Sequence, residues 1–452
     1  MPIETKHPEY LAYENDWIDC RVASLGQREV KKKGVRFLPK LSGQTDDMYN
    51  AYKQRALFYS ITSKTLSALS GMVLDQPPVI THPDAMSKYF EDQSGIQFYE
   101  VFTRAVEETL LMGRVGVFID RPLTGGDPYI SVYTTENILN WEEDEDGRLL
   151  MVVLREFYTV RDTADRYVQN IRVRYRCLEL VDGLLQITVH ETQDGKVWEL
   201  AKTSTIQNVG VTMDYIPFFC ITPSGLSMTP AKPPMIDIVD INYSHYRTSA
   251  DLEHGRHFTG LPTPWITGAE SQSTMHIGST KAWVIPEVAA KVGFLEFTGQ
   301  GLQSLEKALS EKQAQLASLS ARLIDNSTRG SEATETVKLR YMSETASLKS
   351  VTRAVEALLN KAYSCIMDME SMGGTLNIKL NSAFLDSKLT AAELKAWVEA
   401  YLSGGISKEI YIHALKVGKV LPPPGESMGV IPDPPAPEPS PSNTPPNPSS
   451  KA

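Results

Sequence analysis

The chain has 452 residues, a formal net charge of −10 at pH 7 and a 42% hydrophobic content. That acidity excludes a simple sequence-reading DNA-binding protein, which carries a basic face, while the length allows two or three ordinary domains or one large extended subunit. No apolar run is long enough to span a membrane, and the start Met-Pro-Ile-Glu-Thr-Lys lacks a signal peptide's apolar segment, so the chain is expected to be made in the cytoplasm and to stay off membranes.

Taken in order, the pattern predicts a helix over about Tyr10–Leu25, followed by the basic run Lys31-Lys32-Lys33, readable as a solvated face or turn or as a contact to DNA or a partner. Thr45 or Asp46 is suited to cap one helix running to about Leu74, where Asp75-Gln-Pro-Pro78 forbids continuation. Ile96–Met112 reads as a helix presenting Phe98, Val101, Phe102, Ala105, Leu110 and Leu111 inward, with Gly113-Arg-Val-Gly116 ending it. Val117–Ile119, Tyr129–Tyr133, Arg148–Val160, Ile171–Leu180 and Leu184–His190 read as strands separated by turn signals such as Gly125-Gly126-Asp127 and Asp182-Gly183. The first half is therefore expected to be α+β with a largely antiparallel sheet. The acidic run Glu142–Asp146 lacks the residue order of a calcium loop and reads as a charged hairpin tip.

After the Pro-rich break at 230–234, Met235–Phe258 reads as an apolar-faced helix using Ile238, Ile241, His245 and Leu252. Leu261–Gly268 runs extended, and Ala282–Ile285 and Gly293–Phe297 read as short strands. Leu302, Leu305, Leu309, Leu316, Leu319 and Leu323 then recur at spacings of three and four, with Lys312 in the one gap. The rhythm resumes through Tyr341, Leu348, Val351, Val355, Leu358, Ala362, Cys365 and Met369, with Glu344 the exception, and so predicts one apolar stripe per helix. The second helix, of about 35 residues, would run roughly 50 Å and needs a neighbour from this chain or another copy. A strand is expected near Leu376–Leu380, a helix over Leu389–Leu402 with a Thr390/Glu393 capping box, and a short helix over Ser407–Val417. From Leu421 prolines, serines and asparagines dominate, and that tail is expected to be disordered.

Enzymatic signatures are missing: the sequence has no phosphate loop, no dinucleotide-binding glycine motif, no H-E-x-x-H and no G-x-S-x-G. Gly278-Ser-Thr-Lys281 has the residues of a phosphate loop without its spacing. Asp251, Glu253, His254 and His257 form one polar cluster, but two histidines without a firm third ligand favour a surface or interface network over a metal. The chain is expected to be no enzyme and to need no metal or cofactor. Four scattered cysteines, Cys20, Cys177, Cys220 and Cys365, read as buried small side chains in a reducing compartment. The polar loop at 325–335 is the candidate site. Arg322, Asn326, Ser327, Thr328, Arg329 and Lys338 supply small polar groups and cations that can touch a phosphate backbone without reading bases, or simply form an exposed connection.

Several of these stretches together resemble the portal (head-to-tail connector) proteins of tailed bacteriophages. They are Glu108–Pro122, Tyr129–Trp141, Ile236–Gly255 leading into Leu261–Gly268, the helix–loop–helix at 302–369, and the close from Leu389 to Pro424. The resemblance covers about 40–424 and rests on the collective order of these pieces. It implies an α+β portal-like subunit with a mixed α/β wing (1–234), a stem and clip-like segment (235–298), a long interrupted helix (299–370) holding a tunnel-like loop at 325–335, a small helical crown (371–420) and a Pro-rich tail (421–452). Within the second segment, 235–258 would be stem-like and 259–285 clip-like. Only about forty residues separate Phe258 from Leu302, so either the clip is small or 302–324 partly serves as the returning stem. By this resemblance the partners would be further copies of the chain in a ring of about twelve, double-stranded DNA passing through without sequence preference, the terminase large subunit, capsid and scaffold proteins, and a head–tail adaptor. The site of action would be the portal vertex of the virion. A non-portal virion protein using 302–369 as a coiled-coil rod, and a metal-dependent hydrolase using His254 and His257, are the rival readings.

Overall fold

The computed structural model describes residues 2–90, 96–122, 125–162, 164–192, 197–208, 211–261, 263–268, 289, 291–295, 299, 301–324, 334–382, 384, 391–402, 407 and 411. The chain divides into two units, Met1–Ser382 and Ala383–Ala452. The fold is mixed α+β, and every strand pairing among the described residues is antiparallel.

The chain opens with helices α1 (Pro8–Leu25) and α2 (Gln27–Lys33), then α3 (Asp46–Arg55) and α4 (Ile61–Leu74). Where the sequence predicts one helix from Thr45 to Leu74, the structure has two. Thr45 does cap the first, its Oγ1 accepting from the Met48 amide at 3.3 Å. The helix then breaks at 56–60 without glycine or proline. Phe58 is drawn between Tyr243 and Tyr246, its amide donates to Gln27 Oε1 at 3.0 Å, and the Tyr59 carbonyl accepts from Asn242 Nδ2 at 2.7 Å. Tertiary partners replace the helical hydrogen bonds there. Of the lysine run, Lys31 reaches the Gln54 carbonyl at 2.8 Å, and Lys32 and Lys33 lie on the surface.

Strand β1 (Val79–Thr81) leads to a short helix α5 (Ser87–Phe90) and to α6 (Ile96–Met112), whose bounds are those the sequence predicts. Two sheets follow. β2 (Val115–Asp120) and β3 (Tyr129–Thr134) belong to a four-stranded sheet. β4 (Ile138–Glu143), β5 (Leu149–Arg161), β6 (Gln169–Val181), β7 (Leu184–Glu191) and β8 (Glu199–Ser204) form a five-stranded meander in chain order. A small pair, β9 (Gln207–Asn208) and β10 (Val211–Thr212), precedes β11 (Phe218–Thr222) and β12 (Gly225–Leu226), which complete the first sheet in the order β12-β11-β2-β3. The acidic run is a hairpin tip between β4 and β5, where Asp144 Oδ1 accepts from the amides of Asp146 at 3.0 Å and Arg148 at 2.8 Å.

Helix α7 (Ile236–Gly260), the paired strands β13 (Thr263–Thr267) and β14 (Lys291–Leu295), α8 (Leu302–Ile324) and α9 (Thr334–Met369) follow. The predicted strand Ala282–Ile285 lies outside the described residues. β15 (Asn377–Lys379) pairs with β1 across nearly the whole first unit. In the second unit, α10 (Ala391–Leu402) is described, whereas Thr390 and most of the predicted 407–417 helix and the tail lie outside the described residues.

Helix α9 is the core helix. From Leu348 on, the stripe read from the sequence (Leu348, Val351, Val355, Leu358, Ala362, Cys365 and Met369) is buried against the four-stranded sheet and α6, while the side chain of Tyr341, its first member, lies outside the described residues. The neighbour this half of the helix needs is therefore its own chain. Asn360 fixes the returning β15, donating to the Ile378 carbonyl at 2.7 Å and accepting from its amide at 2.9 Å. All four cysteines are buried free thiols.

Candidate functional site: a helix pair and its polar anchors

Of the candidate loop residues, Asn326, Ser327, Thr328 and Arg329 lie outside the described residues. Arg322 sits near the end of α8 and Lys338 near the start of α9, and their side chains also lie outside the description. What the structure does place is the pair of helices leading to that loop.

α8 returns antiparallel along α7. At one end Arg256 bridges Glu306 at 2.9 Å, and farther along Gln313 meets His245 at 3.2 Å. Lys312, the gap in the leucine stripe, turns out to be a contact. Its ammonium reaches Thr248 Oγ1 at 2.5 Å and the Ser244 carbonyl at 3.3 Å. Burial and the nearby Arg247 lower its pKa. A donor set into an apolar stripe fixes the axial register of two helices that leucines alone would let slide.

The sequence predicts a one-faced α7, and the structure corrects this. Ile236–Leu252 is enclosed on most sides by α1, α3, α4 and α8, with Asp237, Asp240, Arg247 and Asp251 left exposed, and several polar residues on the enclosed sides find partners on those helices. Asn242 Oδ1 accepts from Thr62 Oγ1 at 2.9 Å, Tyr243 donates to the Asp19 carbonyl at 2.9 Å, and Asp251 accepts from Tyr52 at 2.6 Å. His257 lies 3.0 Å from an Arg55 nitrogen, and His254 packs edge-on between Tyr52 and Phe258. Desolvation, then Arg55, lowers the His254 pKa. Asp251, His254 and His257 of the cluster thus face α3, whereas Glu253 pairs with Arg256 of its own helix at 3.0 Å. Among the described residues no group of three potential ligands is disposed to hold a metal.

Two largely buried ionic clusters join elements distant in the chain, one linking α1 and α6 to the turn between β3 and β4, the other linking the two sheets. Arg21 of α1 forms two hydrogen bonds to Glu108 of α6 (2.9 and 2.6 Å) and two to Glu136 (2.7 and 3.0 Å). Burial works against the Glu136 carboxylate, yet the Arg21 hydrogen bonds outweigh it and hold its pKa below the usual value. Across the sheets, Arg176 bridges Asp120 at 2.7 Å and Glu156 at 2.8 Å, and Arg174 joins Glu156 at 2.6 Å. Burial opposes Glu156 ionisation, and Arg176 again reverses the balance. Burial, with Asp120 beside it, pushes the Tyr129 phenol up to about 12. A third buried cation, Arg114, lies 4.1 Å above the Trp141 ring, and His7 stacks on the same indole at 4.0 Å.

Sequence reasoning passed over these anchors. Arg21, Glu108 and Glu136 stand far apart in the chain and belong to no spacing pattern. The one usable signal is a charged residue on an otherwise apolar face, as with Lys312 and with Arg114 between two glycines.

The fold defines a class of chain: α+β, with a helix pair α7/α8 whose connection passes through a two-stranded hairpin, followed by a helix that returns into the core. No described helix is long and apolar enough to cross a membrane. Residues 234–368 match a family described as a domain of unknown function (DUF4055), a match that spans α7 to the end of α9 and covers under a third of the chain. No curated protein matches. Among solved structures, the chain is similar to a chain in the virion of a native gene transfer agent (GTA) particle, at 13% identity and a TM-score of 0.41, covering 87% of this chain and 99% of that one. It is also similar to chains in the neck of the empty GTA particle with C6 symmetry (13% identity, TM-score 0.41, 85% and 95% covered). A third is in the neck of the native particle with C12 symmetry (14% identity, TM-score 0.40, 80% and 90% covered). A likeness at this level assigns no function.

Proposed function

We propose that this chain is a portal subunit of a tailed-phage-type virion. Copies assemble into a ring, a dozen in the usual arrangement, at one capsid vertex. The ring passes double-stranded DNA inward during terminase-driven packaging and outward on ejection, and docks capsid, scaffold and head–tail adaptor proteins. The observation that carries this reading is the path of α7, β13–β14 and α8. A long helix leads into a hairpin, and a second helix returns antiparallel upon it, held in register by Lys312 and Gln313. We read this path as a stem with a small clip, with 302–324 as the returning stem. In this reading the connection from α8 to α9, with Arg322, Arg329 and Lys338, is the tunnel loop.

The physics suits a passive conduit. An acidic subunit repeated around a channel repels DNA phosphates, so the duplex does not adhere while it moves, and a few loop cations give transient contact. The chain itself supplies no ATP-driven step, and the motor belongs to the terminase. A coiled-coil rod is disfavoured because the Leu348–Met369 stripe is consumed in the chain's own core.

Particle mass by light scattering, with negative-stain images of the same fraction, tests the reading. Rings with a central hole, built from about twelve copies of the 50.2 kDa chain, are expected. A rod or a compact dimer overturns it. With Arg329→Glu and Lys338→Glu, packaging is expected to slow. Unchanged packaging would remove this loop from the DNA path.

A further inference from the structure

The five-stranded meander carries opposite chemistry at its two ends. β4 accompanies β5 only as far as Leu154, and β7 accompanies β6 only up to Arg174. Among the described residues no further strand pairs with β5 and β6 beyond those points, where they run paired from Glu156–Arg174 to Arg161–Gln169. At about 3.4 Å per residue this two-stranded arm is roughly 20 Å long, and an isolated hairpin of this kind is marginal in water.

One face of the arm carries exposed apolar side chains beside Thr159, Arg161 and Gln169. Phe157 and Ile171 lie on the same side by register, 58% and 75% exposed, and Tyr167 at the tip is 80% exposed. They set exposed aromatic and apolar side chains from the root of the arm to its tip. Around them stand Arg161, Arg166 and Arg172, none of which has an acidic partner among the described residues. The two aspartates of the tip are turned onto its own backbone. Asp162 Oδ1 accepts from the amides of Ala164 at 2.7 Å and Asp165 at 3.3 Å, and Asp165 Oδ1 accepts from Tyr167 at 2.9 Å. Arginine and aromatic side chains on a projecting element are the composition of interface anchors.

At the other end of β5, about 40 Å away for a strand of this length, is the β4–β5 tip. There Glu142, Glu143, Glu145 and Asp146 are exposed. One sheet thus presents a cationic, aromatic end and an acidic end pointing in opposite directions. That is the charge pattern of a heterologous, head-to-tail contact between identical chains.

We propose that the β5–β6 arm of one copy docks on the acidic β4–β5 tip of the next copy, so that each subunit gives an arm to one neighbour and receives one from the other. The proposal rests on the ring reading above and names the contact that builds it.

The test is reciprocal charge reversal, read by sedimentation velocity at fixed salt, with circular dichroism and melting temperature to confirm folding. An arm-reversed chain (Arg161→Glu, Arg166→Glu, Arg172→Glu) and a tip-reversed chain (Glu142→Lys, Glu145→Lys, Asp146→Lys) are each expected to stay monomeric at concentrations tenfold above those at which wild type assembles. Mixed in equal amounts they are expected to assemble again, because each reversed arm meets a reversed tip and each native arm a native tip. The chain carrying all six changes should also assemble. Assembly of the arm-reversed chain at wild-type concentration overturns the proposal and leaves the ring reading standing. Failure of the mixture, with both variants folded, likewise removes the tip as the arm's partner. A wild type that remains monomeric overturns both.

Discussion

Arg21→Met tests how the helical layer is tied to the sheet. The guanidinium serves two carboxylates on different elements, with Nη2 donating to both Glu108 and Glu136. Methionine fills most of the volume but leaves two carboxylates facing each other, with side-chain exposures of 9% and 21%. Breaking a buried pair by removing one partner costs about 3–5 kcal/mol. The first unit spans Met1–Ser382, and at ~2.1 cal/mol/K per residue its unfolding entropy is about 0.8 kcal/mol/K, so the melting temperature should fall by about 4–6 °C. The pH dependence discriminates further. With Arg21 present the folded state holds Glu136 ionised more readily than the unfolded chain does. Its contribution is complete above about pH 5 and is lost as pH falls through the lowered folded value. Without Arg21, burial raises the Glu136 pKa, the folded variant takes up the proton more readily, and its deficit shrinks between pH 7 and about pH 5. Differential scanning calorimetry at both pH values reads this directly. A shift below about 1 °C, or a deficit that grows on acidification, would refute the reasoning, and Glu136→Gln added to Arg21→Met should recover part of the loss.

Two further outcomes follow from local geometry. Gly116 sits on β2 where an added Cβ would overlap the Phe218 ring and lie 2.9 Å from Ile138 Cδ1, so Gly116→Ala should cost about 1–3 kcal/mol by overpacking and lower the melting temperature, with Phe218→Leu relieving it. Lys312→Met keeps the packing and should leave stability within about 1 kcal/mol of wild type while speeding hydrogen exchange in α8 by removing the donor, and Lys312→Glu, which sets an acid against the Ser244 carbonyl, should speed it further; exchange at the wild-type rate in both variants would refute its role in register.

Where periodicity or turn chemistry acts locally, the sequence was readable. The bounds of α6, the Thr45 cap, the long strands and the stripe of α9 all follow from patterns within a few turns. Elements set by distant partners were not. β8, with the sequence Glu-Leu-Ala-Lys-Thr-Ser, is an exposed edge strand, so it has no buried face to impose alternation. β1 finds its partner in β15, and no local signal names a residue so far along the chain. The break between α3 and α4 is made by Asn242 and Gln27, neither of which is a breaker of helices.

The residues that broke a pattern were the informative ones. Lys312 interrupts a leucine stripe, His245 sits on an apolar face and Arg114 separates two glycines. The structure gives each a tertiary contact, respectively with α7, with Gln313 and with the Trp141 ring. The physical reason is an asymmetry of cost. An apolar residue on a polar face loses little, so such exceptions carry little information. A charged or polar residue on a buried face costs several kcal/mol unless a partner is built for it, so its presence implies the partner. Apolar stripes decide that two helices pack, and the polar exceptions decide where along their length they do so. For the ring proposed above the second decision matters more than the first, because a register error between α7 and α8 would displace the hairpin at their end by the same amount in every copy.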